Sequence, residues 1–468
     1  MGALMPDPTH TGSTWWCEHA WLGDDTISSS VMISVAGGRI TSIAPNTHPP
    51  RSARVLKGLV VPGMANAHSH AFHRALRGRT QRDRGTFWTW RDLMYRTADR
   101  LDPDSYRLLA RGVYAEMALA GITAVGEFHY LHHGPNGRPY ADPNAMGKAL
   151  VDGAADAGVR LTLLDTCYLS SGVDGAPLAP GPQQRFGDGS GDAWAGRTES
   201  LRQDLSERTD VIVGAAVHSV RGVPREHIPA VVEWSNSHAA PLHVHSSEQT
   251  AEVDQCIAVH GCTPTALLRD VGALGPRTTA VHATHLTDAD LADLDRTATG
   301  VCFCPTTERD LGDGIGPAPQ LLDSAGLFSL GSDSHAVIDL FEEARAVELD
   351  ERLARRERGV FTASRLLGAA TTDGQHALGW TDAGRISVGE RADFVAVDLG
   401  SIRTAGCGPT LETAVFAATA TDVTDVVIDG RHIVADRRHH SIDDPAGELG
   451  QCISALMDTG APQKEPAR

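Results

Sequence analysis

LVVPGMANAHSH, residues 59–70, is the stretch on which the fold turns. An apolar run of strand length, 59–66, leads into two histidines one residue apart. Alternate side chains of an extended chain share a face, so His68 and His70 point the same way from the end of that strand. Seven further apolar runs follow: ITAVGEF (122–128), RLTLLDT (160–166), VIVGAAV (211–217), PLHVH (241–245), TTAVH (278–282), GVCFC (300–304) and LFSLGS (327–332). Between them lie segments with apolar residues three and four apart, such as SYRLLARGVYAEMALAG (105–121), HIPAVVEWSNSHA (227–239) and the acidic-starting DADLADLDRTA (288–298). This alternation predicts βα units on a parallel sheet, an α/β fold, and eight such units close into a (β/α)₈ TIM barrel.

The flanks have a different texture. VMISVAGGRITSIAP (31–45) and VLKGLVVPG (55–63) near one end, and GRISVGERADFVAVDL (384–399) and DVTDVVIDGRHIVADRR (422–438) near the other, are Gly-punctuated strands without long helical patterns. They read as two halves of one small β-sandwich domain, brought together by the folded middle. The expected organisation is 1–58 as the N-terminal half of that domain, 59–380 as a metal-dependent barrel, 381–440 as the C-terminal half, and 441–468 as a C-terminal tail opening with a short helix. The Gly/Pro-rich stretch 170–194 has no periodicity and reads as a long loop over the barrel mouth, a candidate lid.

Composition narrows the function classes. Asp and Glu number 59 against 41 Lys and Arg, a formal net charge of −18, which argues against a nucleic-acid or anionic-membrane partner. An anionic substrate must then be met by a few local arginines. No stretch reaches the ~20 apolar residues of a membrane span, and the N-terminus lacks the pattern of a signal peptide. The eight cysteines (17, 167, 256, 262, 302, 304, 407, 452) have no framework spacing and read as reduced thiols of a cytoplasmic protein.

The polar residues fall at the strand ends. His68 and His70 follow the first strand, Glu127 to Tyr130 end the second, and His218 and Arg221 follow the fourth. His245 ends the fifth, with Glu248 just beyond; His282 ends the sixth and Asp333 the eighth. In a barrel these ends converge on one mouth, where active sites form. Imidazole and carboxylate suit one divalent ion, Zn²⁺ first, with Fe²⁺ and Mn²⁺ also accepted; His68, His70, His245 and Asp333 are the candidate ligands. A bound ion would bring the pKa of water toward neutrality. Glu248 is placed to take the water proton and hand it to a departing nitrogen. His282 would orient the water or stabilise the intermediate, with His285 in the same VHATHL run as its competitor. Arg91 and Arg221 are candidate carboxylate binders, because guanidinium matches a carboxylate with two parallel hydrogen bonds. Tyr130 and His218 would add hydrogen bonds. His132, His133, His432, His439 and His440 are assigned to loops or solvated surface.

VVPGMANAHSHAF (60–72), HVHSSEQ (243–249), VHATHL (281–286) and LGSDSHA (330–336) resemble strand-end motifs of the amidohydrolase superfamily. Within it, HAFHRALRG (70–78), TFWTWRDLMYR (86–96), GEFHYLHH (126–133) and CPTTERDLGDGI (304–315) are similar to the formimidoylglutamate deiminases. The resemblance implies a single zinc-type site on His68, His70, His245 and Asp333. It implies Glu248, His282 and Asp333 as catalytic, Arg91, Tyr130, His218, Arg221 and His73 as substrate-binding, and a small dicarboxylate as substrate. The implied reaction turns N-formimino-L-glutamate and water into N-formyl-L-glutamate and ammonia, a step of histidine breakdown, in a protein expected to be a homodimer. Two positions depart from the pattern: His73, where some members carry Gln, and Asp310, where relatives often carry Asn. The rival readings are a deaminase of a purine, pterin or other amino-heterocycle, and a catalytically silent barrel scaffold. A heterocycle pocket would favour aromatic and amide groups over two arginines, and a scaffold would not need the ligands.

Overall fold

The computed structural model describes residues 12–23, 26–81, 87–322 and 324–458; for residues 87–89 the backbone alone is described. The expectations for the first eleven residues and for 459–468 lie outside this set. Sixteen strands are formed by the described residues. The first four are β1 (Ser13–Trp21), β2 (Ile27–Ala36), β3 (Arg39–Ala44) and β4 (Arg54–Pro62). Eight follow in the middle: β5 (Met64–Ser69), β6 (Ile122–His129), β7 (Arg160–Cys167), β8 (Val211–Ser219), β9 (Leu242–Ser246), β10 (Thr278–His282), β11 (Gly300–Phe303) and β12 (Phe328–Leu330). The last four are β13 (Phe394–Val397), β14 (Val423–Ile428), β15 (Arg431–Ala435) and β16 (Arg438–His439).

β5 to β12 pair in sequence order, each parallel to the next. They are buried almost throughout, as expected where helices cover a parallel sheet. The barrel closes where β12 meets β5: Asp333 N donates to His68 O at 3.0 Å and His70 N to Asp333 O at 3.2 Å. The seam therefore joins the two segments that carry the first and last expected ligands. Gly331 makes this approach possible, since a Cβ there would lie 2.7 Å from His68 Cβ and 2.8 Å from its carbonyl oxygen.

The helix Pro103–Leu119 shows how local sequence sets the outer layer. Asp102 accepts from Ser105 N at 2.8 Å, with Pro103 in the first turn, so the start is capped. Its buried stripe of Tyr106, Leu109, Ala110, Val113, Tyr114 and Met117 follows the three-and-four spacing of an amphipathic helix.

The two chain ends build one further sheet, ordered β16-β15-β14-β13-β4-β1-β2-β3. β4 joins the halves, parallel to β1 and antiparallel to β13. Its residues alternate in destination. Leu56, Val60, Phe394 and Ala396 join Trp15, Val31 and Ile33 in a core of their own. Leu59, Val61, Val395 and Val397 face the other way, into the core shared with the barrel.

One detail differs from the sequence reading. The run 59–66 is not one barrel strand: Leu59–Pro62 pairs with β13, and the barrel strand starts at Met64. The chain crosses between sheets at Pro62–Gly63 rather than after Gly58, because proline lacks an N–H for the ladder and a side chain at Gly63 would meet Thr123 at 2.5 Å. The helix expected at the start of the tail is formed by Pro445–Met457 and buries Leu449, Ile453 and Leu456. It packs on the helix Pro103–Leu119. No helix of the described residues is long and apolar enough to cross a membrane. All eight cysteines are unpaired, with Cys407 exposed.

Candidate active site

His68, His70, His245, His282 and Asp333 sit at or just beyond the C-terminal ends of their strands, His73 on the short helix Ala71–Leu76 that follows β5, and Arg91 on the helix Phe87–Arg100. Ligating nitrogens of His68, His70 and His245 lie within 4.8 Å of one another, as do donor atoms of His68, His282 and Asp333. His245 Nε2 is 3.0 Å from His68 Nε2, and Asp333 Oδ1 is 3.4 Å from the Nε2 atoms of both His68 and His70. Backbone carbonyls fix two of the rings: His70 Nδ1 donates to Phe128 O at 2.9 Å and His245 Nδ1 to His218 O at 2.8 Å. With the proton held on Nδ1, the Nε2 lone pair is left for a cation.

Electrostatics gives these groups the ionisation that a cation needs. Burial pushes His68 down to about 3 and lowers His70 and His245, so the imidazoles are neutral at pH 7. Burial alone would raise Asp333, but the hydrogen bond from His68 and the neighbouring imidazoles hold it below the usual carboxylate range. Neutral imidazoles and one anionic carboxylate, all inward and buried, fit one divalent ion.

His282 is held from behind by Glu308, whose Oε1 lies 3.2 Å from Nδ1 and also accepts from Cys304 N at 2.8 Å. Burial would lower its pKa, but Glu308, Glu248 and Asp333 outweigh burial and push it up to about 10; a cation alongside would oppose that shift. Its competitor His285 instead hydrogen-bonds Asp313 O at 2.8 Å and steadies a loop. Backbone strain collects here. Ser247, His282, Ala283, Asp333 and His335 all have positive φ, a conformation uncommon outside glycine and often kept at functional sites.

A cavity of about 120 Å³ opens over this cluster. Its lining includes every expected site residue except His68: His70, His73, Arg91, Tyr130, His218, Arg221, His245, Glu248, His282 and Asp333. His73 Nε2 and the Tyr130 hydroxyl are 2.9 Å apart. Arg221 Nη2 donates to Glu248 Oε2 at 2.6 Å, and its Nε lies 3.6 Å from Glu252 Oε1, so this guanidinium already has carboxylate partners. Arg91 lies over the Tyr95 ring, 5.6 Å from its centroid. Asp310 is elsewhere: it is exposed and accepts from Gln81 at 2.8 Å, outside the cavity lining.

Several contributors escaped the sequence reading. Tyr168 lines the cavity and stacks on His218 with ring centroids 3.9 Å apart. Behind the ligands, Ser69 donates to Glu127 at 2.8 Å, and His335 lies between Ser69 and Ser332 at 3.2 and 2.9 Å. Burial pushes Glu127 up to about 7 despite hydrogen bonds from Ala71 N, Ser69 and Tyr114. His335 sits in the quoted LGSDSHA run, so its motif was a usable signal. His132, His133 and His439 are buried rather than solvated. His129, His132 and Asp165 also cluster at ligand spacing. There, however, Asp165 is filled by hydrogen bonds from Arg197, Trp194 and Thr198, and the adjacent guanidinium disfavours a cation.

A (β/α)₈ barrel with an H-x-H pair, a strand-five histidine and a strand-eight aspartate defines a class, and the comparisons agree. The amidohydrolase family profile matches residues 59–433, and the chain belongs to this family. It is a hydrolase of C–N bonds. It is 37% identical over 435 residues to the formimidoylglutamate deiminase of Pseudomonas aeruginosa, covering 90% of this chain and 95% of that one. A 5-methylthioadenosine/S-adenosylhomocysteine deaminase of Haloarcula marismortui is 27% identical, covering 83% and 84%. Among solved structures, an amidohydrolase from Brucella melitensis superposes with a TM-score of 0.88 at 33% identity, covering 95% of this chain and 99% of that one.

Proposed function

We propose that this chain hydrolyses N-formimino-L-glutamate to N-formyl-L-glutamate and ammonia, a step of histidine breakdown. The observation that carries this reading is the joint presence, in one small cavity, of the acid–imidazole cluster and of Arg91 and Arg221. An amidine is cationic near neutral pH and suits Glu248 and Asp333, whereas the two carboxylates suit guanidinium. The relative at 37% identity supports the same choice.

His68, His70, His245 and Asp333 would hold one divalent ion, Zn²⁺ being the first candidate; when bound, it makes water ionise near neutral pH. Glu248 takes the proton that water loses on attacking the amidine carbon. It then returns that proton to the nitrogen, which leaves as ammonia as the C–N bond breaks, and the proton remaining on the new hydroxyl is released to solvent as the formyl carbonyl forms. His282, braced by Glu308, donates a hydrogen bond where negative charge develops. Arg91, Arg221, Tyr130, His218 and His73 hold the dicarboxylate so that its amidine carbon faces the cluster.

A specific observation favours a second reading, deamination of an amino-heterocycle. Trp90, Tyr95, Tyr130 and Tyr168 also line the cavity, and aromatic walls suit a flat ring. Rates on N-formimino-L-glutamate, on its side-chain amide N-formimino-L-glutamine, and on 5′-methylthioadenosine separate the two. Turnover of the first, with KM raised about tenfold or more for the amide, supports the carboxylate reading. Faster turnover of the nucleoside would overturn it.

A further inference from the structure

Within the Gly/Pro-rich stretch 170–194, Gln183, Arg185 and Phe186 are buried and form a wedge. Arg185, at 0% exposure, reaches out of this loop to the end of the helix Phe87–Arg100, the helix that carries Trp90, Arg91, Met94 and Tyr95. Its Nη1 donates to Ala98 O, a carbonyl of the last helical turn that also accepts from Leu101 N at 3.3 Å, and its Nη2 donates to Leu101 O, just past the helix, at 2.6 Å. Its Nε donates to His133 O at 2.8 Å, and Nη2 also reaches the Tyr140 hydroxyl at 3.3 Å. In return, His132 N and His133 N donate to Arg185 O at 3.1 and 2.9 Å. All these partners are neutral, and Arg185 forms no ion pair with a described carboxylate. The carboxylates that act on it, Asp99 and Asp102, do so from beyond ion-pair distance and do not outweigh burial, so the guanidinium is costly to bury and the fixed helix end is the gain that offsets it. The next residue, Phe186, lies against three cavity rings: Tyr168 at 5.4 Å, Tyr130 at 5.0 Å and Tyr95 at 6.0 Å between centroids.

We propose that Arg185 is a positioning residue for the substrate cavity: from the loop it fixes the helix that presents Arg91, and with Phe186 it sets the aromatic wall. It touches no reacting atom and acts through Arg91 and the tyrosines. The link to Arg91 rests on the carboxylate reading given above.

The test compares full-length wild type, Arg185→Lys, Arg185→Gln, Arg91→Ala and Arg91→Ala/Arg185→Lys. Lysine keeps the charge but cannot reach several carbonyls at once, so Arg185→Lys is the variant expected to stay folded. Two readouts are taken: steady-state kinetics with N-formimino-L-glutamate, and amide hydrogen exchange along 90–101 against the barrel strands. The expected result for Arg185→Lys is faster exchange in 90–101 with strands unchanged, KM raised about tenfold, and kcat within about threefold of wild type. Adding Arg185→Lys to Arg91→Ala should raise KM little further. Unchanged exchange in 90–101, or faster exchange with unchanged KM, would overturn the proposal. If Arg91→Ala leaves KM unchanged while Arg185→Lys raises it, the carboxylate role of Arg91 fails and the wedge stands through its tyrosines.

Discussion

Arg221 Nη2 donates to Glu248 Oε2 at 2.6 Å, so the residue proposed to anchor the substrate also holds the residue proposed to carry the proton. A purely binding arginine would change KM alone. Here Arg221→Ala should raise KM about tenfold or more and also lower kcat about tenfold, because Glu248 loses its orientation. Glu248→Gln should lower kcat by about 10² or more with KM little changed. Initial-rate kinetics check both, and an Arg221→Ala enzyme with wild-type kcat would show that the ion pair does not position Glu248.

Glu308 ties His282 Nδ1 to the backbone of Cys304. Glu308→Ala leaves both donors without their acceptor and frees the ring to turn. The expected outcome is a kcat lowered about tenfold or more with bound metal per chain unchanged, since Glu308 is outside the ligand set. Metal analysis alongside kinetics checks this; loss of metal would move Glu308 into the ligand-supporting group.

The departure at position 73 has a simple consequence. His73 Nε2 and the Tyr130 hydroxyl are hydrogen-bonded, and glutamine can make the same bond from the same place on the short helix Ala71–Leu76. His73→Gln should keep kcat/KM for N-formimino-L-glutamate within about threefold, whereas His73→Leu, which leaves the Tyr130 hydroxyl only the weak Met94 sulfur acceptor at 3.9 Å, should lose about tenfold or more. Equal losses in both would mean that the ring itself is needed. Asp310 lies at the surface against Gln81, and Asp310→Asn is expected to leave the kinetics unchanged.

Acid stability follows from Asp165. Burial would raise its pKa, but Arg197 and His132 outweigh burial and hold it at about 2, below its ordinary 3.8. A carboxyl depressed on folding adds stability above its unfolded pKa and loses it as pH falls toward its folded one. The contribution, about 2 kcal/mol at neutral pH, should therefore fade between about pH 4 and pH 2. Denaturant melts across that range check it. Asp165→Asn should flatten the slope there, and should also lower stability at pH 7 by about 3 kcal/mol, because Arg197 is left short of a partner. An unchanged slope would remove Asp165 from the account.

The barrel was legible because β5–β12 announce themselves as short apolar runs, and the site because its side chains sit at the ends of those runs. His68, His70, His245 and Asp333 could be read as neighbours once eight strands were counted. Glu308 and Tyr168 could not, since nothing in local spacing says that a helix carboxylate backs His282 or that a ring stacks on His218. The pairing of Arg221 with Glu248 depends on two loops meeting in space. Arg185 was hidden for a further reason: it bonds carbonyl oxygens, which every residue carries and no sequence pattern marks. The strand boundary at Pro62–Gly63 was missed because one apolar run serves two sheets.

The most direct measurement incubates the zinc-loaded protein with N-formimino-L-glutamate and follows ammonia and N-formyl-L-glutamate together, before and after chelation. The account predicts equal amounts of both products, released rapidly, abolished by chelation and restored by added metal. A folded, metal-loaded sample that releases neither product, while turning over an amino-heterocycle, would contradict it.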